Sequence, residues 1–382
     1  MKLLVSAGGT GGHVYPALAV AEQLLTSRAT GVALPSMKPT DILWVGCKGG
    51  IEEELVEHAG LSFHELAAGG LRGKKAAETA YNSVQIAASV RKARTILSRF
   101  EPDVVFVTGG YACVAVTLAA RIQRVPVVIY LPDIVPGMAI RLLSHFSERV
   151  AVTSEESYQH FRRDKVVVTG YPVRTEIYTL DKNQARQALR LKPGEKTVLV
   201  FGGSRGARSI NQALVAGLRE LLPKCQVLHV SGRLDAEWVA GAARSLPEAL
   251  KPRYHYYDFL HKMPQALVSA DLAVARSGAA TMGEFPAAGL PAVLVPYPYS
   301  GQHQEPNARY MARNGAAEVI ADAQLAQKLV PTILRLVDND QSLAEMRESA
   351  QAMARPDAAE AIAEELWLAA RRHSVGQAGA GS

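Results

Sequence analysis

The amino-acid sequence predicts an α/β protein of two Rossmann-like domains, each built on a parallel sheet, and three observations lead there. Short β-branched runs alternate with helix-length segments from end to end of the 382-residue chain, as parallel strands joined by crossover helices require. Those runs are apolar without clean alternation, which suits strands covered on both faces. A unit of strand, glycine cluster and helix opens the chain (KLLVSA-GGTGG-HVYPALAVA) and recurs at its middle (TVLVF-GGSRGA-RSINQALV).

Taken in order, the first half offers strands at 2–7, 42–45, 104–107, 127–130, 150–153 and 166–169. The second half offers 198–201, 227–230, 255–259, 272–275, 292–295 and 318–320. The first helix, 16–25, carries Val14, Leu18, Ala21, Leu24 and Leu25 at helical spacing. The boundary between halves falls at 170–172, giving domains 1–171 and 172–356. A last helix within 357–372 presents Ala358, Ile362, Leu366 and Ala369 as a stripe that must pack on something, and 373–382 (SVGQAGAGS at its end) is expected to be disordered. Asp338-Asn339-Asp340 has the spacing of a metal-binding DxD, but it precedes a helical pattern and is expected to be a loop with an N-cap. His255 and His261 lack a third ligand in spacing, so no metal site is expected.

A hydrophobic fraction of 48% with 20% charged residues excludes a disulfide miniprotein, a disordered chain and a fibrous repeat. Cys47, Cys113 and Cys225 are scattered, without CxxC spacing, and the start MKLLVSAGGTGGH is too short an apolar run for an export signal. The longest membrane-span candidate, 104–120, is broken by Gly109-Gly110. A cytoplasmic protein is expected. The net charge of +6 fits an anionic substrate, a membrane surface or nucleic acid equally well, until it is located: Arg72, Lys74, Lys75, Arg91, Lys92, Arg94 and Arg99 face only Glu78 within 72–99. Leu71, Ala77, Tyr81, Val84 and Ala88 add near-helical apolar spacing, and a basic amphipathic segment of this kind suits an anionic membrane. No nucleic acid is expected.

Glycines between a strand and a helix let backbone N–H groups approach a phosphate at the positive end of the helix. The dinucleotide fingerprint needs a third glycine where Val14 stands, and no GxxxxGK[ST] occurs. His13, at the start of the first helix, is a candidate general base, because a helix N-terminus disfavours the imidazolium. In 275–308, Ser277-Gly278-Ala279-Ala280 permits close approach of a ligand, Glu284 is placed to accept two ribose hydroxyls, and Gln302, His303, Gln304 and Asn307 can hydrogen-bond a sugar.

With GGTGGHVYPALAVA, TGGY at 108–111, TGYPVR at 169–174, GGSRGARSIN at 202–211 and RSGAATMGE with AAGLP at 276–291, the chain resembles the MurG-type UDP-N-acetylglucosamine transferases of peptidoglycan synthesis, from its first strand to about residue 320. The resemblance implies a GT-B fold, two Rossmann-like domains facing across a cleft, with the last helix completing the first. It implies inverting transfer of N-acetylglucosamine from UDP to a membrane-linked muramyl diphosphate lipid, without a cofactor or metal, at the cytoplasmic face of the membrane. Thr10, Gly11 and Gly12 would face the reacting diphosphate and acceptor, and Arg174 and Ser204 the donor diphosphate. Leu260 would sit by the uracil, Ala279, Ala280 and Thr281 by the diphosphate, Glu284 on the ribose and Gln304 on the sugar hydroxyls, with Met282 and Gly283 also among the substrate-binding residues. Three motifs depart from the family. Tyr130-Leu131-Pro132-Asp133 replaces HEQN, Arg205 replaces Gln in GGSQGA, and His303 stands where Gln is common. Asp133 thereby becomes a second candidate base beside His13. The rival readings are a related UDP-sugar transferase acting on another lipid or small molecule, a UDP-N-acetylglucosamine epimerase, which would consume donor without acceptor, and a non-catalytic nucleotide-sugar sensor.

Overall fold

The computed structural model describes residues 1–26, 37–66, 76–203, 206–299 and 303–380, with backbone alone at 76–84 and 374–380. The chain forms two compact units, Met1–Val173 with Asp357–Ser382, and Arg174–Pro356.

The first unit holds seven parallel strands: β1 (Leu3–Ala7), β2 (Ile42–Cys47), β3 (Ser62–Leu66), β4 (Val104–Gly109), β5 (Val127–Leu131), β6 (Arg149–Val152) and β7 (Val166–Val168), in the order β3-β2-β1-β4-β5-β6-β7. β3, absent from the sequence expectation, is an edge strand whose SFHEL sequence is mostly exposed and so lacks an apolar run. The second unit holds β8 (Thr197–Phe201), β9 (Gln226–Val230), β10 (Tyr254–Tyr257), β11 (Leu272–Ala275), β12 (Ala292–Leu294) and β13 (Ala317–Val319), in the order β10-β9-β8-β11-β12-β13. The remaining strands lie within one or two residues of their expected ends.

Both sheets reverse direction of growth once, between β1 and β4 and between β8 and β11. Ligands of open parallel sheets bind beyond the carboxyl ends of the strands at such a switch point. The four glycine-rich motifs GGTGG, TGGY, GGSRGA and RSGAA follow β1, β4, β8 and β11, so the strand order assembles them in pairs.

In the first unit, α1 (Gly11–Thr26), α2 (Ile51–His58), α3 (Ala76–Phe100), α4 (Ala112–Ile122) and α5 (Met138–Leu143) connect the strands. The final helix, Ala358–Ala380, packs against α1 and β4 to β6 with its whole expected stripe buried, and Arg149–Glu365 (3.2 Å) and Arg372–Glu148 (2.9 Å) clamp it. Its backbone stays helical through 374–380, within the 373–382 expected to be disordered, as extending a docked helix adds one hydrogen bond per residue without a new nucleation cost; 381–382 lie outside the described residues. Asn339 caps the helix Asp340–Met353 by accepting from Ser342 N (3.0 Å), while Asp338 pairs with Lys224 and Asp340 with Lys196, so the DxD spacing serves a helix end. Among the described residues no helix is long and apolar enough to cross a membrane, and none form a three-ligand metal cluster.

Candidate active site

In the first unit β1 ends at Ala7 and the exposed Gly9-Thr10 turn leads into α1, whose first bonds run from His13 N and Val14 N to the Thr10 carbonyl (3.1 and 3.3 Å). Gly11 and Gly12 form its first two residues and are half-buried. The His13 ring is held at one nitrogen: Nδ1 lies 3.1 Å from the Gly8 carbonyl, with Thr10 Oγ1 at 3.4 Å. A carbonyl only accepts, so Nδ1 carries a proton, and the neutral tautomer that fits this contact has its lone pair on Nε2.

The TGGY motif builds the wall behind that ring. Thr108 Oγ1 donates to the His13 carbonyl (2.8 Å), and Gly8 N to the Gly109 carbonyl (3.0 Å). Gly109 has φ +143°, and a Cβ there would meet His13 Cδ2 and Nε2 at 2.9 Å. TGYPVR contributes from further along the chain. Pro16 lies inside α1 and has no N–H for the carbonyl four residues back, that of Gly12; the Tyr171 hydroxyl donates to this carbonyl instead (3.3 Å). Tyr171 also stacks edge-on with Tyr130 of β5 at 6.3 Å. Asp133 is half-buried just beyond β5. Burial drives the Tyr130 hydroxyl far above its ordinary pKa, and the Asp133 charge adds to this against the Thr153 hydrogen bond. Cys113 is buried, its thiol pushed up to about 12 by that burial.

In the second unit the GGSRGA loop leads from β8 to the helix Arg208–Ala216; Ser204 and Arg205 lie outside the described residues. Gly206 passes so close to β9 that a Cβ would meet the Ser231 carbonyl at 2.3 Å. Behind the loop stands a buried polar network missed by the sequence reading. His229 Nε2 donates to Asn211 Oδ1 (2.9 Å), Nδ1 accepts from the Tyr254 hydroxyl (2.7 Å), and Asn211 Nδ2 reaches Asp235 Oδ2 and the Ser231 carbonyl (2.8 Å each).

After β11, the turn at 277–280 starts the helix Thr281–Ala288. The amides of Thr281, Met282 and Gly283 bond to the carbonyls of Gly278, Ala279 and Ala280 (3.0, 3.0 and 3.2 Å). Ala279, Thr281, Met282 and Gly283 are buried, while Gly278 and Ala280 are partly open. Glu284 Oε1 stands 4.0 Å from Arg174 Nη2, which brings the expected ribose and diphosphate contacts together. Burial raises the Glu284 carboxyl above its ordinary range, and Arg174 pulls it partly back. Leu260 is buried three residues past β10. Gln304 opens the helix Gln304–Arg313, its Oε1 accepting from Tyr297 N (3.0 Å) and its carbonyl from Ser277 Oγ (2.8 Å); Gln302 lies outside the described residues.

Arg276, quoted only as part of a motif, ties this region together. Its guanidinium pairs with Asp322 (2.6 Å), donates to Ser209 Oγ (2.8 Å) and the Val295 carbonyl (3.2 Å), and lies over the Tyr297 ring. An arginine directly after an apolar strand was the available signal.

Of the basic segment, 72–75 fall outside the described residues. Arg91, Lys92, Arg94 and Arg99 on α3 are exposed. The core-facing residues of this half of α3 are Ser89, Ala93, Ile96 and Leu97, whereas Ala88 of the expected apolar stripe is exposed. Gln123 Nε2 donates to the Arg94 carbonyl (2.9 Å) and Ser98 Oγ (2.8 Å), joining α3 to the end of α4. Ile122 (55% exposed), Met138 (91%) and Leu142 (61%) are exposed apolar side chains of the same unit, and Arg121, Arg124, His145 and Lys165 line a cavity of about 330 Å³.

The glycosyltransferase family 28 N-terminal domain matches residues 3–152 and its C-terminal domain residues 197–362. A UDP-N-acetylglucosamine–N-acetylmuramyl-(pentapeptide) pyrophosphoryl-undecaprenol N-acetylglucosamine transferase of Roseiflexus sp. is 41% identical, over 93% of this chain and 92% of the relative. The protein of that name from Bacillus subtilis is 35% identical over 94% and 97%. The crystal structure of Acinetobacter baumannii MurG superposes with a TM-score of 0.73 at 26% identity, covering 96% of this chain and 99% of that one. A UDP-GlcNAc 2-epimerase from Neisseria meningitidis, at 16% identity and TM-score 0.66 over 96% and 100%, shares the fold alone. Identity sustained across both glycine-loop units shows that this chain belongs to the MurG family of glycosyltransferase family 28, with the two Rossmann-like domains of the GT-B fold.

Proposed function

We propose that this chain is an inverting glycosyltransferase that moves N-acetylglucosamine from UDP-N-acetylglucosamine to the muramyl hydroxyl of an undecaprenyl-diphosphate-linked acceptor, lipid I to lipid II in peptidoglycan synthesis. The names of relatives at 41% and 35% identity support both substrates. The observation that carries the mechanism is the His13 ring, anchored through Nδ1 to the Gly8 carbonyl with Nε2 as the basic nitrogen. Nε2 takes the hydroxyl proton as the acceptor oxygen attacks the anomeric carbon from the face opposite UDP. The bond from that carbon to the diphosphate oxygen breaks, and UDP leaves with the electron pair. Arg174 and the amide-rich starts of the helices after GGSRGA and RSGAA offset the charge that develops on it. Glu284 takes the ribose hydroxyls, Leu260 the uracil, Ser204 the diphosphate and Gln304 the sugar. Thr10, Gly11 and Gly12 face the acceptor diphosphate. Asp133 is read as an acceptor contact, and the fixed tautomer of His13 favours the histidine as base.

The same reading makes the enzyme peripheral on the cytoplasmic face of the membrane. Exposed Arg91, Lys92, Arg94 and Arg99, with Ile122, Met138 and Leu142, supply the cationic and apolar contacts an anionic lipid surface takes.

The test is UDP release from UDP-N-acetylglucosamine with a muramyl diphosphate lipid, with diacylglycerol and with no acceptor. Release only with the muramyl lipid is expected, and donor consumption without acceptor would replace the transferase reading by an epimerase. His13→Ala should lower the rate roughly 10²–10⁴-fold, as for loss of a general base, and an unchanged rate removes His13 from the mechanism. Glu284→Gln should raise KM for the donor about tenfold, as a charged hydrogen bond becomes a neutral one.

A further inference from the structure

We infer that Glu52 is a positioning residue that shapes the Gly8-Gly9 turn and, through it, fixes His13. Glu52 is the second residue of α2, yet its side chain is turned inward and only 1% exposed. Its Oε1 accepts from Cys47 N (3.0 Å) and its Oε2 from Gly9 N (3.3 Å), so one carboxylate bridges the loop that follows β1 and the last residue of β2. Both backbones close tightly on it. A Cβ on Gly8 or Gly50 would lie 2.4 Å from its carboxylate oxygens, and one on Gly46 2.8 Å from its Cγ. Three glycines leave room for this side chain and no more.

A buried carboxylate is an expensive way to fill space, since an apolar side chain would fill it without desolvation cost. What it supplies is an acceptor for the amides of Cys47, at the end of β2, and of Gly9, past β1, at a helix start that favours negative charge. Among the described residues no basic side chain forms an ion pair with it, so its hydrogen bonds go to the turn. Gly8 is the residue whose carbonyl holds His13 Nδ1, and Gly8 N is tied to Gly109. Glu52 therefore anchors the turn on one side while TGGY anchors it on the other. The inference rests on the reading of His13 as the base.

Glu52→Gln keeps the shape but turns an NH2 toward one of the two amides, and should loosen the turn. The expected result is a kcat lower by about 10- to 100-fold, the scale for misplacing a reacting group by up to 1 Å, with donor KM within twofold. The decisive readout is a double-variant cycle on the residual rate. In a His13→Ala background, Glu52→Gln should cost less than twofold further, because the group it positions is gone. An unchanged kcat for Glu52→Gln, or a full repeat of its loss in the His13→Ala background, overturns the proposal. A His13→Ala variant that keeps the wild-type kcat overturns the base reading instead. Should Glu52→Gln not fold, Glu52→Asp keeps the charge, withdraws it by one methylene and enters the same cycle with the same criteria.

Discussion

Gly109→Ala isolates the wall behind His13. The added Cβ would stand 2.9 Å from His13 Cδ2 and Nε2 and 3.0 Å from Cε1, against about 3.5 Å for a relaxed carbon contact. The ring must retreat by roughly 0.5 Å, and it is not free to do so, because Nδ1 is bound to the Gly8 carbonyl on the same turn. Misplacing a reacting group by about 1 Å costs on the order of 10²-fold, so a shift half as large should lower kcat about tenfold. The backbone adds its own cost, as φ +143° suits glycine and disfavours alanine by roughly 1–3 kcal/mol. The assay is steady-state UDP release with saturating muramyl lipid, read beside UDP binding by calorimetry and thermal unfolding. UDP affinity should stay unchanged, because the nucleotide contacts proposed above belong to the other unit. Gly60→Ala is the control: it also has positive φ (+71°), but its Cβ meets nothing within 4 Å, so it should cost stability and no rate. If Gly109→Ala keeps kcat within twofold of wild type, or if Gly60→Ala loses as much, the steric link to His13 is wrong.

Three further outcomes follow from the same structure. Asp271 is buried and takes Lys182 Nζ (2.7 Å), Arg186 Nη2 (2.7 Å) and Thr197 N (2.8 Å); burial pushes its carboxyl up, but Lys182, Thr197 N and Arg186 outweigh that and leave it below the ordinary carboxylate range. Asp271→Asn, which strands Arg186, should cost about 3–5 kcal/mol. This contribution is present above the unfolded value near 3.9 and lost as pH falls through the folded one, so denaturant midpoints of the two proteins should converge in acid and separate at neutral pH. His229 is buried neutral, burial pushing its pKa down to about 4, so the unfolded chain binds a proton from about pH 6.5 that the folded one refuses. Stability should fall by up to about 3 kcal/mol between pH 6.5 and 4, and His229→Gln, which can donate to Asn211 and accept from Tyr254, should flatten that limb; equal slopes in urea titrations would refute the assignment. Reversing Arg91 and Arg94 to Glu should weaken sedimentation with anionic vesicles by more than tenfold, at about 1 kcal/mol per cation removed, with little effect on neutral vesicles or on UDP binding.

What could be read in the sequence was whatever local chemistry dictates: strand, glycine loop and helix, twice, with the catalytic histidine candidate directly behind the first loop. What could not be read was who supports that loop. Pro16 announces a missing N–H, but its consequence, an orphaned Gly12 carbonyl, is met by Tyr171, 159 residues away along the chain. Gly109 reads as a turn residue until the parallel pairing of β1 with β4, which sets Ala7 opposite Gly109, brings it against the His13 ring. Glu52 reads as one of three consecutive acids at a helix start, and Glu53 and Glu54 do lie on the outer faces of α2. Only the packing of β2 beside β1 turns the first of them inward. Each support joins segments distant in sequence, so its signal is a residue out of keeping with its local role: a proline inside a helix, a glycine pair after a strand, an acid on a buried face. Local inconsistency of this kind is where function constrains a fold, and the Glu52–His13 cycle tests whether that rule holds here.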